Sequence, residues 1–133
     1  MTKALRLGLA SLVAATVLGG APAAFARPAS GGGGGVSTSG ACSAASTWKL
    51  KASPDNGRLE VEFEVDSNVS GQTWQCILKD NGVAFAKGTA VTQAPSGSFE
   101  VRKFTPNQPG TDKIQGLARN QGTGETCKGS LSI

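Results

Sequence analysis

The stretch Trp48-Lys49-Leu50-Lys51-Ala52-Ser53-Pro54-Asp55-Asn56-Gly57-Arg58-Leu59-Glu60-Val61-Glu62-Phe63-Glu64-Val65-Asp66 decides the fold class. Apolar and polar residues alternate on both sides of Asn56-Gly57. A period of two sends successive side chains to opposite faces, so each flank reads as a half-buried β-strand. Asn-Gly readily takes the positive φ values of a type I′ turn and closes a two-residue hairpin. Pairing the flanks about that turn sets Trp48 against Val65, Leu50 against Phe63 and Ala52 against Val61 on one face. On the other face Lys49 meets Glu64 and Lys51 meets Glu62. Turn chemistry, apolar alternation and charge pairing agree. The acidic row Glu60, Glu62, Glu64, Asp66 has the look of a cation site, but its opposed lysines make it the solvated face of a strand.

Further strands follow downstream. Gln72 to Lys79 places Trp74, Cys76 and Leu78 on one face, and Asp80-Asn81-Gly82 leads into Val83 to Thr92. A two-residue turn there would set Phe85 against Leu78 but Lys87 against Cys76, facing inward. Either the strand bulges near Lys87 or the turn is longer. Pro95-Ser96-Gly97 turns the chain into a strand lined by Phe99 and Val101. Asp112 to Asn120 places Ile114, Gly116 and Ala118 inward, and Gly122-Thr123-Gly124 leads to a last strand with Cys127, Leu131 and Ile133 on one face. Seven short strands at roughly ten-residue spacing, with no helical period, predict an all-β, seven-stranded antiparallel sandwich. The alternative is a five-stranded oligonucleotide-binding barrel, which presents aromatics on its binding face. Here Trp48, Phe63, Trp74, Phe85 and Phe99 mostly fall on predicted inner faces.

Upstream, Lys3 and Arg6 precede the uncharged run Leu7 to Gly20, and Ala24-Phe25-Ala26 follows. A basic start, a short apolar run and a small-x-small site predict a secretory signal peptide over 1–26, cleaved between Ala26 and Arg27. The apolar run is shorter than the roughly 20 residues that span a membrane. Residues 27–45, rich in Gly, Ser and Ala, are expected to form a flexible linker ahead of a domain over 46–133. Loss of Lys3 and Arg6 leaves eleven Lys and Arg against nine Asp and Glu, so the formal charge falls from +4 to +2. That is too weak a balance to predict a nucleic-acid partner.

The chain has no His, no Tyr and three Cys. Imidazole-dependent hydrolysis and His-ligated metals are excluded, and a four-Cys zinc site cannot be built. No catalytic residue, metal ligand or cofactor site is predicted. Secretion implies an oxidising compartment in which two cysteines pair. In a sandwich of alternately running strands, Cys42, before the first predicted strand, and Cys127, at the start of the seventh, lie at the same end. Cys76 sits mid-strand. The expected bridge is Cys42–Cys127, leaving Cys76 as a buried free thiol beside Trp74; Lys87 would favour a reactive thiol only if the tight register held.

Several stretches together resemble small secreted actinobacterial proteins of unassigned function. They are Trp48-Lys49-Leu50, Gly57 to Asp66, Gly71-Gln72 with Trp74, Asn81-Gly82, Pro95 to Val101, and Thr123-Gly124-Glu125 with Cys127. The resemblance covers residues 42 to 133 and implies an immunoglobulin-like or fibronectin-III-like sandwich without an assigned activity. In size the chain is also similar to the sandwich apoproteins that carry enediyne chromophores, but those have two disulfides and three cysteines cannot supply them. The same shortage, with the all-β pattern, separates it from the two-disulfide subtilisin inhibitors.

The functional expectation is a secreted, monomeric, non-catalytic protein that binds a protein or cell-envelope component through loops or an exposed sheet. The candidate loops are Asn68 to Gln72, Gln93 to Ser98 and Pro106 to Gly110, with an outward basic stripe of Lys79, Lys87, Arg102, Lys103 and Arg119. A carrier of a small apolar ligand is the alternative, which a pocket of several hundred Å³ would favour. A carboxylate-dependent hydrolase ranks below both, because the acids alternate on an exposed strand or sit in turns.

Overall fold

Wherever the sequence alternates, the chain forms a strand. The computed structural model describes residues 34–133, so the expected leader, its Ala26/Arg27 cleavage site and the start of the expected tether lie outside the described residues. The strands are β1 (Val36–Ala41), β2 (Thr47–Asp55), β3 (Arg58–Asp66), β4 (Thr73–Asp80), β5 (Val83–Val91), β6 (Ser98–Pro106), β7 (Lys113–Asn120) and β8 (Thr126–Ser132). They form two four-stranded antiparallel sheets with the orders β1-β2-β3-β6 and β5-β4-β7-β8. The all-β, two-sheet expectation holds, with eight strands in place of seven.

The extra strand is β1, which lies where a flexible linker was expected. Val36 pairs with Ala52 and Ala41 with Thr47. The segment Val-Ser-Thr-Ser-Gly-Ala has one large apolar side chain and no strand signal of its own. The unpaired edge of β2 supplies its partners, which satisfies backbone groups on both strands.

The first hairpin has the expected register throughout: Trp48 opposite Val65, Lys49 opposite Glu64, Leu50 opposite Phe63, Lys51 opposite Glu62, Ala52 opposite Val61. Asn56 and Gly57 take φ of 54° and 79°, as a type I′ turn requires. The acidic row is neutralised from the other side than expected. Arg102 of β6 reaches Glu60 at 3.8 Å, Glu62 at 3.3 Å and Glu100 at 3.5 Å. Phe104, on the same outer face, lies under the Arg58 guanidinium, 4.0 Å from its ring centre.

The core fills the space between the sheets. Leu50, Leu59, Val61, Phe63 and Val65 of one sheet meet Trp74, Leu78, Ile114 and Cys127 of the other, all fully buried. Trp74 and Phe99 pack as a tilted pair with ring centres 6.1 Å apart. Two aromatic rings lie directly on glycines of the facing sheet. A Cβ on Gly116 would stand 2.7 Å from the Phe63 ring, and one on Gly129 would stand 2.5 Å from the Trp48 ring. These inward glycines are seats for large side chains.

The two ends of the sandwich are tied differently. At one end Cys42 and Cys127 form the expected disulfide. Beside it the Glu125 carboxylate accepts hydrogen bonds from the Ala44 and Ser46 amides and from the Ser46 hydroxyl. At the other end Thr105 of β6 donates to the Asp80 carboxyl at 3.0 Å, joining the sheets through a buried polar contact.

Candidate binding cleft

The site begins with a turn and one supernumerary residue. Asn81 and Gly82 take φ of 50° and 86°, and Asp80 pairs with Val83 across a two-residue loop. Lys79 then pairs with Ala84, but Leu78 pairs with Ala86. Phe85 is the extra residue of a β-bulge, and a bulge shifts the alternation of everything beyond it. Ala86, Gly88 and Ala90 consequently oppose the inward residues Leu78, Cys76 and Trp74, while Lys87 opposes Ile77 on the outer face. The bulge reading of this hairpin is thus the right one, and it falls at Phe85, ahead of Lys87.

The consequence is an unfilled edge. β5 is the outermost strand of its sheet and β6 the outermost of the other, and they face each other across the open side of the sandwich. Beyond Phe85, which packs against the core, only small residues point in from β5, and the sheets do not close there. A cleft of about 350 Å³ remains, floored by Cys76, Leu78, Ala86, Ala90 and Val101. A Cβ added to Gly88 would meet nothing within 4 Å. A depression of about 450 Å³ on the outer face of β1–β3 is lined by Ser37, Ser39, Lys49, Lys51, Glu62 and Glu64, the solvated face of that sheet.

The cleft mouth is cationic. Lys103 shares its side of β6 with Phe99, Val101 and Thr105, opposite buried Val61, and lines the cleft. Placing it in an outward basic stripe is therefore corrected: alternation from Phe99 and Val101 carries it inward, and the open edge lets its ammonium stay in water. Lys87 lines the same cleft. Among the described residues, neither lysine has a carboxylate within 4 Å, whereas Arg102 has three. The expected basic stripe does not form. Arg102 is on the outer face of one sheet, and Lys79 and Arg119 belong to strands of the other.

Cys76 is 4 % exposed and forms no disulfide. Burial pushes its thiol up to about 12, and the bulge turns Lys87 away from it, so the thiolate needed for reactivity is disfavoured. It serves as a small apolar floor residue.

A second titratable group lies at the sandwich end. Asp80 is 6 % exposed and the neighbouring Asp112 fully buried. Burial, followed by the Asp112 carboxyl, raises the Asp80 pKa, against a lowering contribution from the Thr105 hydroxyl. Burial beside a second carboxyl favours the protonated form of Asp80. Asp80 Oδ1 is buried without a hydrogen-bond partner.

The three expected loops do not form one surface. The 68–72 and 93–98 loops pack together at the disulfide end: the Thr92 hydroxyl donates to the Val69 carbonyl at 2.6 Å, and the Ser67 amide donates to Gly97. The 106–110 loop lies at the opposite end, where the Gln108 amide donates to Asp112. Sequence reading missed the cleft, although two signals pointed to it. These were the clash that the unbulged register imposed on Lys87, and a glycine inside a strand. Comparison with protein-family models, with curated proteins and with solved structures gives no match.

Proposed function

We propose that this is a secreted, non-catalytic β-sandwich binding protein, of the small actinobacterial type its sequence resembles, and that it takes its ligand in the cleft between β5 and β6. The observation that carries this reading is the open space over Gly88 within a cleft of about 350 Å³. That volume falls in the range of small-molecule sites, which are concave, mostly apolar and furnished with a few polar groups. Concavity favours a small ligand over a flat protein–protein contact through the loops, of which two pack together at one end and the third lies at the other.

The disulfide is consistent with an extracellular protein. The non-catalytic reading is supported by the carboxylates. Glu100, which lines the cleft, is engaged by Arg102, and Asp80 and Asp112 are sealed from solvent. The experiment is amide chemical-shift mapping by NMR while extract of the producing cells is added. Shifts confined to β4, β5 and β6 are expected. Shifts confined to the 68–72, 93–98 or 106–110 loops would move the site elsewhere and overturn the proposal.

A further inference from the structure

We infer that the ligand of the β5–β6 cleft is a small amphiphilic acid, with an apolar body on the floor and one anionic head at the mouth. This rests on the binding function proposed above and adds the chemistry of what is bound. Size limits the body. At roughly 30 Å³ for a water-sized group, the cleft of about 350 Å³ holds about a dozen such groups. That suits a single medium-length chain or a fused ring pair, and is too little for the two chains of a membrane lipid.

The floor selects an apolar body. Leu78, Ala86, Ala90 and Val101 offer hydrocarbon, and the Cys76 thiol is held neutral by burial. Charge selects the head. Lys103, which faces inward at the mouth, has no carboxylate partner among the described residues, and Glu100, which also lines the cleft, is held by Arg102 at 3.5 Å; Lys87 borders the cleft from β5 with its side chain on the outer face. The uncompensated charge at the mouth is therefore positive. An anionic head gains charge-assisted hydrogen bonds there, a neutral head gains less, and a cationic head is repelled. The Lys103 stem can cover the apolar body while its ammonium stays in water.

Fluorescence titration with anilinonaphthalene sulfonate, followed by displacement, tests this. Decanoate should displace the dye, decanol should do so several-fold less well, and decylamine least well. Lys103→Gln should weaken decanoate about 2- to 5-fold and leave decanol unchanged, as one partly exposed ion pair would, whereas Lys87→Gln on the outer face should change neither. Gly88→Leu should abolish displacement. Because that variant could disturb β5, amide shifts of the unsubstituted protein with decanoate provide a second readout, and they should be confined to β4, β5 and β6. Equal binding of decanol and decanoate would overturn the inference while leaving a cleft-binding protein. Binding to phosphatidylglycerol vesicles without binding of monomeric decanoate would overturn it in favour of a membrane surface. Shifts at the loops alone would overturn both the inference and the function on which it rests.

Discussion

The two flanks of this sandwich are built from the same kind of residue and end up opposite in character. On the β7–β8 side, Gly116 and Gly129 face inward and lie under the rings of Phe63 and Trp48, so close that an added Cβ would collide. On the β5 side, Ala86, Gly88 and Ala90 face inward and Gly88 has nothing over it. A small inward residue is a seat when a large side chain opposes it and a hole when none does. Interiors pack to crystal-like density, so an unfilled position is informative where a filled one is ordinary. The β1–β8 flank is additionally held shut by Cys42–Cys127, and no disulfide holds β5 to β6.

This contrast can be broken from its covered side. Phe63→Ala should empty the seat on Gly116 and create a second hole, destabilising the fold by about 3–5 kcal/mol in chemical denaturation. A loss below about 1 kcal/mol would show that Phe63 is not the packing element described. Replacing both Cys42 and Cys127 by Ala releases a loop with a sequence separation of 85. It should cost about 2–5 kcal/mol and loosen hydrogen-exchange protection in β1 and β8 before β4.

The two glycine positions sharpen it. Gly116→Ala forces a methyl into the Phe63 ring and should cost about 1–3 kcal/mol. The same change at Gly88 enters open space without a positive φ, and should be neutral or stabilising by about 0.5 kcal/mol. Equal losses at both positions would erase the distinction between seat and hole.

The smallest effect concerns the end contact that joins the sheets beside the open flank. The Asp80 pKa is raised in the folded protein above its ordinary 3.8, so the folded state binds the proton more tightly than the unfolded chain. This group's contribution is therefore present at low pH and is lost as pH rises from 3.8 through the folded value. Asp80→Asn, which keeps a donor toward Asp112, should flatten that fall. The difference in unfolding temperature between variant and parent should grow in the variant's favour as pH rises. A difference constant with pH would refute the raised Asp80 pKa.

Much of this was legible in the sequence because it depends on local chemistry. The β2–β3 register followed from Asn56-Gly57, which fixes the pairing, and from strict alternation, under which a one-residue slip would turn one strand's apolar row to solvent. The Cys42–Cys127 bridge followed from strand polarity, and it survives the added strand because β2 and β8 still start at the same end. β1 was not legible, because its pairing is driven by the vacant edge of β2 and not by its own side chains. Lys103 was read as outward because it is charged, although alternation from Phe99 already carried it inward.

The sequence by itself thus determined the elements, their turns and the closed core, since a period of two and a two-residue turn act over neighbouring residues. The tertiary structure alone decided which flank is filled. One bulged residue, Phe85, reverses the facing of the rest of β5, turning Lys87 out and Gly88 in. Whether Gly88 then meets a ring or empty space depends on what the other sheet presents across the gap. Gly116 and Gly129 meet Phe63 and Trp48, whereas a Cβ on Gly88 would meet nothing within 4 Å.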